Sequence, residues 1–332
     1  MNSFSATVPI SLVNGLLAGA DPAAVARLAE LSSIPHELLR KPAARVTQEQ
    51  FSTLYRRLAH ELDDEMPGIF SRPLRNGTLK YLCLSLLDAP RLEVALHRLS
   101  QFMHLLLDEF TFRFRREGTL CRVELKATPN GPPLTELGRE LMLKLAHGVA
   151  SWLVGQKIPL TEVEFDFSSP PRASDYLYLF PGPVRFGCAS TFMAFDAAYL
   201  DMSIRQRKSD LGSFLSRAPE DWIFVSFAEQ MVCHRVRHYI AGSLPAAPTI
   251  ELAARDLHFS VRTLCRRLSA EGTSFQMIKD EVRRDIAIQR LTRSTDAIHI
   301  IAYDIGFDDP TAFYRAFRHW TGSTPQAYRR MA

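Results

Sequence analysis

The stretch IGFDDPTAFYRAFRHWTGSTPQAYR, Ile305 to Arg329, decides how the second half of this chain is read. Gly306 ends one short helix, and Asp309 followed by Pro310 starts another, an acidic cap with proline at the first helical position. Phe313, Phe317 and Trp320 then recur at helical intervals and form an inward stripe. Thr311, Arg315 and Arg318 share a different face, and Gly322 closes the helix.

The same unit stands upstream in TIELAARDLHFSVRTLCRRLSAEG, Thr249 to Gly272. Thr249 caps a short helix containing Ala253 and Ala254. His258-Phe259 make a turn, and Ser260 caps a second helix. Leu264 and Leu268 point that helix inward, which leaves Arg262, Cys265 and Arg266 together on another face, with Arg267 beside them. Each unit is a short helix, a tight turn and a cationic second helix: a helix-turn-helix. Ser274 to Ser294 reads as one long helix joining the two, with an apolar stripe through Phe275, Ile278, Val282, Ile286 and Leu291.

Two such helices meet what duplex DNA presents. A helix fits the major groove, the arginine fork matches guanine O6 and N7, and neighbouring cations hold phosphates. Joined by one helix, the pair can enter successive major grooves. Arg329 and Arg330 are further phosphate-contact candidates.

Upstream of these units the period changes. The first hundred residues read as helices, with starts at Asp21-Pro22 and Asp88-Ala89-Pro90 and a Thr47-x-x-Gln50 capping box. Phe110 to Ala127 alternates on both sides of Glu117-Gly118, a β-hairpin, and Thr161 to Ser169 alternates likewise. LTELGRELMLKLAHGVASWLVGQ between them reads as a helix. QRKSDLGSFLSRAPED is charged and turn-rich, and WIFVSFAEQMVCHRVRHYIAGSL reads as one amphipathic helix. The expected fold is α+β: a mixed α/β sensor domain, residues 1–219, followed by an all-α domain, residues 220–332, with two helix-turn-helix units on a long linker helix.

Composition excludes more than it selects. A net charge of +4 on 332 residues does not by itself argue for nucleic acid. The surplus is uneven, though: after residue 240 there are 13 Lys/Arg against 10 Asp/Glu. The 5 cysteines are scattered without a Cys-x-x-Cys, which argues against a disulfide framework or zinc site and for a reducing compartment. No secretory leader or membrane-spanning run is visible, so the expected location is the cytoplasm. No catalytic residue, cofactor or metal is expected. His234 and His238 have helical metal spacing without an evident third ligand. Asp63-Asp64-Glu65 reads as a solvated loop. Arg113, Arg115 and Arg116 on the hairpin are the candidates for meeting an effector carboxylate. Phe102, Met103 and Leu105 to Leu107 are candidates for an apolar pocket or for ordinary core.

The last hundred residues resemble the AraC/XylS family of bacterial transcriptional regulators. The runs RTLCRRLSAEGTSF, AYDIGFDDPTAFYRAFRHW and GSTPQAYR carry the resemblance, with Ala287 to Leu291 of the joining helix. By this resemblance Arg262, Cys265 and Arg266 match base-facing positions of the first recognition helix, and Thr311 and Arg315 those of the second. Asp308-Asp309 places acidic charge where the second helix meets DNA, and weaker phosphate grip is the expected consequence. LLAGADPAAVARLAELSSIPHELLRKPAARVTQEQF and FPGPVRFGCASTFMAFDAAYLD resemble the family's arabinose-binding-type regulatory domain. The resemblance implies a promoter-binding activator that contacts RNA polymerase. It also implies a small-molecule effector, a fatty acid or an amino acid among the classes. A homodimer is left open beside a monomer, and no membrane partner is expected. One alternative is an effector-independent regulator whose N-terminal domain serves protein contacts alone. An enzyme fused to a DNA reader finds no support, because no Gly-x-Ser-x-Gly elbow or cysteine cluster is present.

Overall fold

The computed structural model describes residues 6–171, 173–180, 182–224, 231–246 and 248–329. Contacts divide the chain into two units. One joins Met1–Leu54 to Phe227–Ala332, and the other is Tyr55–Ser226. The grouping differs from the expected boundary near Pro219, because the first 54 residues pack with the C-terminal helices. Sequence cannot display such pairing, since the partners lie more than two hundred residues apart. Among the described residues no helix is long and apolar enough to cross a membrane.

The N-terminal segment contributes β1 (Val8–Pro9), α1 (Ile10–Leu17), α2 (Pro22–Leu31) and β2 (Arg45–Val46), which pairs antiparallel with β1. Asp21 caps α2 by accepting from the Ala23 and Ala24 amides at 2.9 and 3.0 Å. Thr47 and Gln50 close the expected reciprocal box at the start of α3 (Gln48–Leu62), at 2.9 and 3.1 Å.

The second unit holds α4 (Thr78–Leu86), α5 (Leu92–Leu106), β3 (Phe110–Glu117), β4 (Leu120–Ala127), α6 (Glu136–Leu153), β5 (Leu160–Glu164), α7 (Tyr176–Leu179), β6 (Val184–Arg185), β7 (Thr191–Asp196), α8 (Lys208–Ser216) and α9 (Glu220–Ile223). The five strands lie in the order β3-β4-β7-β5-β6, antiparallel except for β5 with β6. The expected hairpin is present in register from Phe110↔Ala127 to Glu117↔Leu120, with Gly118 at φ 62° in its two-residue turn. α6 is buried nearly all round, which marks it as the unit's central helix. Gly148 makes this possible on one side: a Cβ there would lie 2.5 Å from Trp222 Cα.

Four sequence expectations are corrected here. Asp88 does not cap α5; Arg91 precedes it, and Asp88 instead pairs with Arg98. The charged stretch before Pro219 contains helix α8, held at its start by Asp210 accepting from the Arg207 amide at 2.8 Å. The helix expected from Trp222 to Leu244 ends its first part at Ile223, and its second part starts at Val232. Residues 225–230 of that expectation lie outside the described residues, as does Arg330. Finally, Asp64 is buried and Glu65 half-buried. Asp64 is 4% exposed and accepts from the Met66, Gly68 and Leu74 amides. A carboxylate can leave water when several amide donors replace it.

The C-terminal residues of the first unit form α10 (Val232–Ser243), α11 (Ile250–Asp256), α12 (Val261–Ala270), α13 (Phe275–Arg293), α14 (Ile298–Asp304), α15 (Pro310–Thr321) and α16 (Pro325–Arg329). Ala253, Ala254, Leu264 and Leu268 are buried in the first half, and Ile301, Ala302, Phe313 and Phe317 in the second. Trp320 is only half-buried, against Phe307 with ring centroids 5.9 Å apart, so the expected inward stripe ends at Phe317.

At the centre of this unit Asp285 of α13 is 1% exposed. It accepts from Thr7 Oγ1, Arg237 and Arg284. Burial alone would raise its pKa, but Arg284, Arg237 and Arg45 outweigh burial and hold the carboxyl well below the usual range. Arg45 also donates its backbone N–H to Tyr328 Oη of α16 at 3.0 Å, and Glu49 pairs with Arg293 at 2.7 Å. The N-terminal segment thus spans the middle of α13 and the last helix.

Candidate nucleic-acid interface and effector cavity

Both helix-turn-helix units are built by the same local devices. In the first, Ser260 accepts from the Thr263 amide at 3.1 Å and starts α12. In the second, Asp309 accepts from the Thr311 and Ala312 amides at 2.9 and 3.3 Å and starts α15. The backbone hydrogen bonds from Thr311 head the causes that keep the Asp309 carboxyl ionised below its usual pKa. The acidic charge expected to oppose DNA at this point is therefore engaged in capping its own helix, while Asp308 stays exposed.

The turns match residue for residue. Phe259 donates its amide to Ala254 at 2.8 Å, and Phe307 donates to Ala302 at 3.0 Å. Gly306 supplies the left-handed turn at φ 82°; in the first unit His258 occupies that region at φ 62°, which costs a side chain more than glycine. Each turn is held from the preceding long helix by one arginine. Arg235 of α10 lies over the Phe259 ring at 5.2 Å and donates to Leu257 O at 3.3 Å. Arg283 of α13 lies over Phe307 at 4.7 Å and donates to Gly306 O at 2.8 Å.

The second helices present the residues singled out from sequence. Arg262, Cys265, Arg266 and Arg267 are exposed on α12, and Thr311, Arg315 and Arg318 on α15. Their guanidiniums differ from their neighbours in what they meet. Arg237, Arg284, Arg290 and Arg293 each pair with a carboxylate. Among the described residues the Arg262, Arg266 and Arg318 guanidiniums meet none. Arg267 leans over Phe259 at 4.9 Å, and Arg315 feels the Asp309 charge. An unpaired guanidinium fully in water has its donors free for phosphate or a base edge.

Within the Tyr55–Ser226 unit is a cavity of about 360 Å³. Tyr55, Arg56, Ala59 and His60 of α3 line it, with Glu65, Met66 and Leu74 of the following loop. Leu79, Lys80 and Leu82 of α4, Met103, Leu145 and the α8–α9 residues Leu215 and Trp222 complete the wall. Glu65 is fixed within it, accepting from the Gly77 and Leu79 amides at 2.8 and 2.6 Å. Burial raises its pKa against those donors. Sequence reasoning missed these residues apart from Met103. They converge from six helices and a loop, and no spacing along the chain announces that. Leu105, another pocket candidate, is 76% exposed. Arg113, Arg115 and Arg116 do not line the cavity; they lie on β3 at the sheet's edge, where Arg116 pairs with Asp201 at 3.0 Å. His234 is 7% exposed, and no group of three or more metal-ligating side chains occurs among the described residues.

Comparison with known proteins places this geometry. Residues 19–204 match the family model described as the arabinose-binding domain of AraC transcription regulators, N-terminal. Residues 253–331 match a helix-turn-helix domain. The ornithine utilization regulator of Pseudomonas aeruginosa is 30% identical over 210 residues, 63% of this chain and 62% of that protein. The HTH-type transcriptional regulator VqsM of the same organism is 33% identical over 82 residues, 25% of each chain. These matches span less than two thirds of the relatives' lengths. Among solved structures, transcriptional regulator CdpR from Pseudomonas aeruginosa aligns over 96% of this chain and 97% of its own, at TM-score 0.32 and 23% identity. With the N-terminal match alone covering more than half of the chain, the chain belongs to the AraC family of transcription regulators.

Proposed function

We propose that this chain is a sequence-specific DNA-binding regulator that activates transcription in the cytoplasm. In this reading α12 and α15 enter successive major grooves of a promoter. Arg262, Cys265, Arg266, Thr311 and Arg315 face base edges, and Arg267 and Arg318 face phosphates. RNA polymerase is the protein partner, and a homodimer is the acting form. Residues 220–332 read DNA, and residues 1–219 carry the regulatory function through a small-molecule effector, with fatty and amino acids as the classes in view. The effector acts by binding one arrangement of the chain better than another.

The observation that carries this reading is the pair of outward helices whose Arg262, Arg266 and Arg318 meet no carboxylate among the described residues, while most cations of the connecting helix are neutralised. The test is fluorescence anisotropy on a duplex selected from a random pool by the full chain. Arg262→Ala and Arg315→Ala each cost about 1–3 kcal/mol and relax readout at one position. Unchanged binding by both variants overturns the assignment of these helices as readers.

A further inference from the structure

The cavity in the Tyr55–Ser226 unit has a chemistry that narrows the effector, given the effector-controlled reading above. Its interior is apolar: Met66, Leu74, Leu82, Met103 and Leu145 are all buried. Three basic side chains line it at exposed positions, Arg56, His60 and Lys80. Glu65 is the one acidic residue in the wall, and both of its carboxylate oxygens already accept backbone N–H groups from Gly77 and Leu79. A ligand ammonium entering here meets, among the described lining residues, this single carboxylate with a backbone donor already on each oxygen, against the three basic side chains. A ligand carboxylate finds Arg56, whose present partners are loose, Ala218 O at 3.4 Å and Glu220 at 3.8 Å. Lys80 meets no carboxylate; its ammonium lies 5.8 Å from the Tyr81 ring centroid. On the wall, Trp222 is 2% exposed and its indole Nε1 is buried without an acceptor.

We propose that this cavity is the effector site and that it takes a monocarboxylic acid with an apolar body, discriminating against amino acids of the same shape. The hydrocarbon replaces water along the apolar wall. The carboxylate lies toward Arg56 and Lys80, where charge-assisted hydrogen bonds orient it. An α-ammonium group on the same skeleton would lie beside the Arg56 and Lys80 cations, and that like-charge repulsion is the source of the discrimination. The relative named for ornithine utilization therefore does not predict the ligand of this cavity.

The matched probes are octanoate, 2-aminooctanoate and 1-octanol, titrated calorimetrically into the full chain. Octanoate binds, and the other two bind at least about tenfold more weakly, one for the ammonium held beside those cations and the other for its missing carboxylate. The double variant Arg56→Gln/Lys80→Gln, exposed and tolerant of change, weakens octanoate by a further factor of about ten or more and leaves 1-octanol unchanged. Equal binding of octanoate and 2-aminooctanoate, no octanoate binding at all, or octanoate binding indifferent to Arg56 and Lys80 each overturns the proposal. The parent reading is scored separately, by DNA affinity with and without ligand. Octanoate that binds as described yet leaves DNA affinity and transcription unaltered removes the effector role and keeps the site. A ligand of another class that shifts DNA affinity keeps effector control and removes this assignment.

Discussion

Replacing Asp285 by asparagine preserves the shape of the side chain and removes the charge on which the first unit converges. The carboxylate accepts from Thr7, Arg237 and Arg284 at 1% exposure, with the Arg45 guanidinium adding to the field. Without it Arg237 is left with the more distant Glu281 at 3.9 Å, and Arg284 loses the carboxylate it pairs with. Removing one partner of a buried ion pair costs about 3–5 kcal/mol, because the remaining charge stays buried. The loss registers as amide exchange, resolved by peptide mass spectrometry on the full chain. Protection of α13 falls by roughly two to nearly four orders of magnitude for that cost. Because Thr7 and Arg45 belong to the same cluster, β1 and β2 lose protection together with α13. Acid gives an independent check. A carboxyl whose folded pKa is depressed contributes stability that is present above its unfolded value, about 3.9, and lost as pH falls toward the folded one. Asp285→Asn therefore flattens the acid limb of the stability profile below about pH 4. A cost under about 1 kcal/mol, or loss of protection in α13 with β1 and β2 unaffected, would refute the account of a shared buried cluster.

Three further outcomes follow from other sites. Asp309→Ala removes the cap of α15 and costs about 1 kcal/mol, read as faster exchange in α15; an unchanged rate would show that Pro310 alone starts the helix. Burial lowers the Lys144 pKa to about 7, so its penalty is fully present below pH 7 and is relieved as pH rises toward the ordinary lysine value. The thermal midpoint of the natural chain should rise from pH 7 to 10 relative to Lys144→Met, and parallel profiles would contradict a buried charge. Cys265 is exposed on α12 while Cys83, Cys121 and Cys233 are buried. Alkylation with a maleimide should abolish DNA binding in the natural chain but spare Cys265→Ser, and equal loss in both would place the damage elsewhere.

What was legible in the sequence was local. Caps at Asp21, Thr47, Ser260 and Asp309 lie within three residues of the amides they accept from, so type and spacing sufficed to place the helices. The inward stripes of α12 and α15 also follow from helical period alone, and the faces left over are the candidate readers. Trp320 failed because period gives direction but not the depth of cover above a residue. Asp64 and Glu65 failed for a different reason. Three adjacent acids look solvated until the loop folds back and offers Met66, Gly68, Leu74, Gly77 and Leu79 amides to them. The cavity was illegible because its walls come from segments as distant as Tyr55 and Trp222.

The cluster around Asp285 also bears on the order in which a growing chain can fold. Thr7 and Arg45 leave the ribosome early, but Arg237, Asp285 and Tyr328 emerge only after the whole Tyr55–Ser226 unit has been made. Domains generally fold as units during synthesis. The cavity-bearing unit has all its residues first and can fold while the other unit is still in two pieces. Until the second piece arrives, Thr7, the Arg45 backbone and Glu49 await Asp285, Tyr328 and Arg293. Slow codons or a bound chaperone would act most strongly in that interval.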